Sequence, residues 1–233
     1  MAGRWDNLTV DGETMRCYVS APEGAGPFAG VIVVQHAGGV DEFIQTMSDR
    51  MASAGYVAIA PELYHRDPNP GDDPLTRMGR LRDANIVKDV DAAFEHVKGL
   101  ANVAAERIGL TGFCMGGRVA YLMAGHIPSL RATVVFYGGN IMVPWGEGPA
   151  PFDRTDHIQC PLLGLFGEED TNPSPADVAK IDAELTRLGK KHEFHSYSGA
   201  GHAFMNEARP SYRQQSAEDA WAKCLDWFER YLG

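Results

Sequence analysis

The chain reads as an α/β protein built on a mostly parallel sheet. Short apolar runs alternate with longer stretches of three-to-four-residue apolar periodicity, and Gly, Pro and Asp punctuate the junctions between them. Most of the short runs are apolar throughout rather than at every second residue, as in strands covered by helices on both faces.

The elements follow in chain order. Asn7 to Val10 and Thr14 to Ser20 flank Asp11-Gly12, a dipeptide that accepts the positive φ of a two-residue hairpin, so the chain opens with an antiparallel pair. Gly30 to Val34, Val57 to Ala60, Ile108 to Thr111, Thr133 to Tyr137 and Leu162 to Phe166 supply the parallel strands, and Glu193 to Tyr197 the last one. In the stretch from Thr76 to Gly99, Val87, Val90, Phe94 and Val97 make one helical stripe. Ser174-Pro175 gives a cap and a first-turn proline to a helix carrying Val178, Ile181, Leu185 and Leu188, and Gly189 ends it. A final helix presents Ala217, Trp221, Leu225, Phe228 and Leu232. The irregular segments Pro61 to Leu75 and Gly138 to Pro161 fall beyond strand carboxyl ends, where open parallel sheets bind ligands, and are expected to shape a cleft.

With 233 residues, 44% of them hydrophobic, a single domain over residues 1-233 with a well-buried core is expected. A net charge of -10, with the 21 basic residues in no block, excludes a nucleic-acid footprint or an anionic membrane surface and leaves small neutral or weakly anionic partners. The polar opening Met1 to Asp6 lacks a signal-peptide layout and no apolar run approaches ~18 residues, so a cytoplasmic protein is expected. The four cysteines, Cys17, Cys114, Cys160 and Cys224, contain no CxxC pair and read as free thiols, with Cys17 and Cys224 on core faces. No histidine pair has metalloprotease spacing, so no metal site is expected.

Only Cys114 has chemical surroundings. Gly112-Phe113-Cys114-Met115-Gly116-Gly117 follows an apolar run and reads as a nucleophile elbow with cysteine in the place of serine: a strand turning sharply into a helix needs glycine where backbones crowd. The helix beginning at Met115 would favour a thiolate at its positive end. A thiol with an ordinary pKa of ~8.5 is mostly protonated at neutral pH, so a nucleophile of this kind needs a base, and the base an orienting carboxylate. Glu168-Glu169-Asp170 lies just past the run ending at Gly167, and His202 lies in the glycine-flanked loop Gly199-Ala200-Gly201-His202 after the last strand. The order nucleophile, acid, histidine is that of α/β-hydrolases. Glu168 and Glu169 compete with Asp170 for the acid; distance beyond Phe166 and the Asn172-Pro173 turn favour Asp170.

The elbow, Gly167-Glu168-Glu169-Asp170, Gly201-His202-Ala203-Phe204 and Val34-Gln35-His36-Ala37-Gly38-Gly39 together make the chain similar to the dienelactone hydrolase family over nearly its whole length. The resemblance implies the α/β-hydrolase fold, a twisted, mostly parallel sheet of about seven to eight strands with helices on both faces. It also implies carboxymethylenebutenolidase-like hydrolysis of a small ester or lactone substrate without a cofactor, a triad of Cys114, His202 and Asp170, and an oxyanion hole of the Ala37 and Met115 N–H groups. Two positions depart from the family pattern. His36 stands where members carry a glutamate after the first parallel strand, and is open to three roles: holding Cys114 as a thiolate, polarising the substrate carbonyl, or shaping the cleft. Asn206 stands where members place a substrate-gripping arginine, and lacks its charge and its fork. Arg66, Arg77, Arg80 and Arg209 are candidate substitutes or solvated surface groups, and the substrate need not carry a carboxylate. A redox-sensing thiol protein and a non-catalytic binding protein are the alternative readings.

Overall fold

The hairpin at Asp11-Gly12 forms the antiparallel edge of the sheet. Both residues adopt positive φ, 52° and 84°, and Val10 faces Glu13 across the turn. The computed structural model describes residues 3–233. From this hairpin, β1 (Arg4–Val10) and β2 (Glu13–Ser20), the chain continues through β3 (Phe28–Val34), α1 (Glu42–Ser53), β4 (Val57–Pro61), α2 (Pro74–Arg80), α3 (Asp83–Gly99) and β5 (Val103–Phe113). It ends with α4 (Met115–Ala124), β6 (Ala132–Phe136), β7 (Leu162–Gly167), α5 (Pro175–Arg187), β8 (His192–Tyr197) and α6 (Gln214–Leu232).

All eight strands join one sheet in the order β1-β2-β4-β3-β5-β6-β7-β8. β1 and β2 run antiparallel to their neighbours, and the six strands from β4 to β8 are mutually parallel. The expected fold class is therefore found. The connection from β3 leads outward to β4 while that from β5 leads the other way to β6, so the strand order reverses between β3 and β5. A crevice opens at the carboxyl ends of strands where such a reversal occurs.

Alternation within each strand divides the core between two faces. Val31 and Val33 of β3 pack with Ile44 and Met47 of α1 and with Trp221 and Phe228 of α6. Ile32 and Val34 pack with Val90 and Phe94 of α3 and Val119 of α4. Cys17 and Cys224 are buried in these layers, as their strand and helix faces predict. No helix among the described residues is long and apolar enough to cross a membrane.

The structure departs from the sequence reading between Thr76 and Gly99, where two helices replace one. The apolar stripe begins only at Ile86, and α2 buries no side chain, so nothing carries the helical register across Leu81 and Arg82. The Asp67 carboxylate instead draws Arg77 and Arg80 of α2 onto the preceding loop (2.7 and 2.9 Å), while the Asp83 N–H at the start of α3 donates to the Trp145 carbonyl. Within the second irregular segment, Pro151–His157 winds into a short 3-10 turn.

The first turn of α4 lies against the ends of β3 and β6. A Cβ on Gly116 would collide with the Val34 carbonyl, and one on Gly117 would come within 2.6 Å of the Phe136 carbonyl. Neither neighbour is a flexible side chain, so Gly116→Ala is expected to destabilise the protein by about 1–3 kcal/mol or more. Gly79→Ala, in open space within α2, is expected to be neutral or stabilising by up to about 1 kcal/mol. Denaturant midpoints of the two variants check the contrast.

Candidate active site

Cys114 is the single residue between β5 and α4, at φ 58° and ψ −120°. This region costs a non-glycine residue about 1–3 kcal/mol and persists only where its surroundings over-determine it. The surroundings here are the Cys114 N–H donating to the Phe136 carbonyl (3.1 Å) and its carbonyl accepting the Gly117 N–H (2.9 Å). The half-buried side chain is left at the carboxyl-end rim, beside the reversal point of the sheet.

His202 reaches the same place from the loop after β8. Its Nε2 lies 2.9 Å from Cys114 Sγ, and its Nδ1 lies 2.8 Å from Asp170 Oδ2. The other Asp170 oxygen accepts the Asn172 N–H at 2.9 Å, and the carboxylate side chain is 1% exposed. Backbone bonds bind the acid turn to the histidine loop: the Glu168 N–H donates to the Tyr197 carbonyl and the Glu169 N–H to the Ala200 carbonyl. Glu168 and Glu169 are exposed, so Asp170 alone of the three acids meets the imidazole. The ring of Tyr137 packs edge-on against His202, with centroids 5.3 Å apart. Burial by itself would pull the His202 imidazole down, but its hydrogen bonds to Asp170 and Cys114, with their charges, prevail and push it up to about 10.

The oxyanion-hole candidates meet on one rim. Gly116 abuts the Val34 and Gln35 carbonyls, which brings Met115 beside the loop that follows β3. The Tyr64 hydroxyl donates to the Ala37 carbonyl at 3.0 Å and touches Met115 Sδ at 3.5 Å, so one side chain braces both residues. Among the described residues neither the Ala37 nor the Met115 N–H donates to a protein acceptor.

His36 and Asn206 lie elsewhere. His36 Nε2 is held by Asp41 Oδ2 at 2.7 Å, with its ring edge-on to Phe43, and Asn206 turns its Oδ1 back onto the Ala208 N–H at 3.0 Å. Both face a hollow of about 880 Å3 over α1 rather than the cleft at Cys114. The captured imidazole makes no contact with the thiol, so of the roles open to His36 the structure carries none at the sulfur. The cleft itself, about 180 Å3, is bordered by Leu75, Met78, Met115, Asn140, Trp145 and Thr171 around Cys114, Asp170 and His202. Apart from Met115 these wall residues belong to α2, to the Gly138 loop and to the turn after β7, and no sequence motif marks them individually. Leu75, Asn140 and Trp145 fall within the two irregular segments expected to shape a cleft, whereas Met78 and Thr171 lie outside both.

A family model of the dienelactone hydrolases matches residues 15–232. The chain belongs to the dienelactone hydrolase family. It is thereby an ester- or lactone-cleaving hydrolase, the class that the family name denotes, and its partner is a small-molecule substrate. A Methylorubrum extorquens protein with the provisional name carboxymethylenebutenolidase is 37% identical over 228 residues, spanning 92% of this chain and 76% of the relative. A Synechocystis protein with the same provisional name is 38% identical, spanning 97% of this chain and 94% of the relative. The crystal structure of a Klebsiella pneumoniae protein, provisionally a dienelactone hydrolase, superposes with a TM-score of 0.88 at 35% identity and covers 99% of this chain and 100% of its own. The fold is that of the α/β-hydrolases.

In this dienelactone hydrolase family member the raised His202 has a definite consequence for pH. Its folded value lies above the ordinary 6.5, so the charged imidazole stabilises the fold fully below about pH 6.5, and that contribution is lost as pH rises to about 10. Stability relative to His202→Gln is expected to fall across this window. Asp170→Asn, which removes the foremost raising partner, is expected to move the His202 midpoint downward, as read by NMR of the labelled ring; an unmoved midpoint contradicts the assignment of cause.

Proposed function

We propose that this hydrolase cleaves a small carboxylic ester or lactone through a covalent acyl-thiol intermediate, with Cys114 as nucleophile, His202 as acid and base, and Asp170 as the group that orients the imidazole. The observation that carries the reading is the unbroken contact chain from Sγ through Nε2 and Nδ1 to a buried carboxylate. A charged imidazole 2.9 Å from the sulfur stabilises a thiolate there. The carboxymethylenebutenolidase names of the relatives support the substrate class.

The thiolate attacks the substrate carbonyl carbon, and the carbonyl π pair moves to oxygen, where the Ala37 and Met115 N–H groups receive it. Collapse breaks the bond to the alkoxy oxygen, which takes the proton from His202 Nε2 and leaves, or in a lactone remains tethered as the ring opens. Water then attacks the thioester as His202 Nε2 takes its proton. The second tetrahedral adduct expels Cys114 as thiolate beside the restored imidazolium. Asp170 fixes Nδ1–H throughout, so that Nε2 faces the sulfur. Tyr64 holds the oxyanion loop by its bond to the Ala37 carbonyl. The redox-sensor alternative is disfavoured because Cys17, Cys160 and Cys224 are all buried and leave Cys114 without a resolving thiol.

Cys114→Ala is expected to lower kcat/KM by about a thousandfold or more, as loss of one member of a catalytic unit does. A slow ester should leave an acyl adduct on the wild-type peptide that contains Cys114, detected by mass spectrometry. Substantial esterase activity in the alanine variant, or no adduct at a stage of burst kinetics, overturns the mechanism. Tyr64→Phe loses one hydrogen bond to the oxyanion loop and should lower kcat by about three- to tenfold with little change in KM.

A further inference from the structure

The walls of the cleft beside Cys114 contain no lysine or arginine. The nearby cations are all engaged. Arg77 donates to Asp67 at 2.7 Å and lies over the Tyr64 ring; Arg80 is shared between Asp67 and Asp72. Arg66 is bound to Asp89 at 2.6 Å. Arg118 is wholly buried and grips both oxygens of Asp83 at 2.6 and 2.9 Å, with the Trp145 ring 4.0 Å from its guanidinium carbon. Arg82 sits in the adjoining hollow past Met78 and Trp145, and gives one nitrogen to the Gly79 and Leu81 carbonyls. The charges that do border the cleft are those of the Asp170 carboxylate, 1% exposed, and of the His202 imidazole paired with it, and the whole chain carries -10.

The same walls are apolar where a substrate arm would lie. Leu75 and Met78, three residues apart, share one face of α2 and both border the cleft, and Leu75 is 68% exposed. The Asp67 contacts to Arg77 and Arg80 fasten this helix, so an otherwise unfavourable leucine is held at the mouth of the cleft. Arg118 does the same for the opposite wall: it donates to the Asn140 and Val143 carbonyls, and its partner Asp83 accepts the Trp145 N–H, which fixes the Trp145 loop against the helix that begins at the nucleophile. An acyl group bonded to Sγ occupies the space beside the sulfur through both halves of the reaction, so the acyl arm is the part of the substrate these walls meet.

We propose that the Cys114 cleft selects uncharged esters or lactones with an apolar acyl arm, laid against Leu75, Met78 and Trp145, and discriminates against acyl arms that end in a carboxylate. The inference rests on the acyl-thiol reading above. An anionic arm laid on the Leu75, Met78 and Trp145 wall would leave water with no lysine or arginine to meet it, the one bordering cation, His202, being already paired with Asp170. An apolar arm instead removes the exposed Leu75 surface from water.

The test uses p-nitrophenyl acetate, butyrate and hexanoate together with p-nitrophenyl hydrogen adipate, which matches the hexanoate in length but ends in a carboxylate. The kcat/KM is expected to rise by about two- to fourfold per added methylene, the increment of apolar burial. Hexanoate should exceed adipate by about tenfold or more, the scale of placing an unpaired charge in a partly desolvated site. Leu75→Lys, at an exposed position where folding is not at stake, should narrow the hexanoate-to-adipate ratio by about three- to tenfold. Adipate turned over as well as hexanoate, an adipate rate that Arg82→Gln removes, or a ratio that Leu75→Lys leaves untouched overturns the proposal. A second measurement needs no turnover: hexanamide should protect Cys114 from iodoacetamide, and adipamic acid should not. Equal protection by the two overturns the substrate preference even where Cys114→Ala has already shown the nucleophile correct, and unequal protection upholds it even where acyl transfer to Cys114 is disproved.

Discussion

The site depends on how closely the first turn of α4 can approach the ends of β3 and β6. Cβ atoms at Gly112, Gly116 and Gly117 would each meet a backbone group: the Gly116 carbonyl, the Val34 carbonyl and the Phe136 carbonyl with Gly138. With hydrogen in place of Cβ at all three, the helix begins immediately after Cys114 and against the strand that leads into the Ala37 loop. That one packing relation holds Cys114 at positive φ, brings Met115 beside Ala37, and lets the Tyr64 hydroxyl touch both. The strain at Cys114 is stored by rigid neighbours, as is usual where a reacting group must be presented on a fixed trajectory.

Electrostatics completes what packing begins. The imidazole of His202 lies between the thiol and a carboxylate that is itself nearly out of water, and both contacts favour its charged form over the effect of burial. Asp170 would be costly to bury alone, and it is satisfied from two directions, by the ring on one oxygen and by the Asn172 N–H on the other. Asn172 in turn exchanges amide contacts with Asn140, so the acid turn and the loop walling the cleft are held to each other. Arg118 belongs to the same frame. A fully buried guanidinium is tolerable only because Asp83 and two carbonyls receive its donors, and breaking such a pair is generally far more costly than never having built it. The surroundings of the sulfur are thus rigid and polar behind, apolar in front.

Much of this was legible in the sequence and some was not. The hairpin at Asp11-Gly12, the buried parallel strands and the capped helix at Ser174-Pro175 were readable because their signals are local: allowed φ values, side-chain periodicity and cap chemistry act over a few residues. The break at Leu81 and Arg82 was not readable, since it follows from Asp67 drawing two arginines back and from Asp83 meeting Trp145, partners far off in the chain. His36 shows the same limit in small compass. Its position beyond the first parallel strand left three roles open, at the sulfur, at the substrate carbonyl or in the cleft wall, but Asp41, placed as the cap of α1, takes its Nε2. Asn206 likewise turns inward on its own loop.

By itself the sequence determined the fold class and the sharp turn with a cysteine at its tip, because each is a demand of backbone geometry met by adjacent residues, and it showed the chain order cysteine, acid, histidine. Tertiary structure settled the contact of Asp170 with the imidazole, which the sequence had only favoured over Glu168 and Glu169, and alone decided that His36 is engaged away from the thiol and that the arginines around the cleft are already engaged. The physical reason is that a charge takes the partner nearest in space, and for residues separated by tens of positions that neighbour exists only once the sheet has assembled.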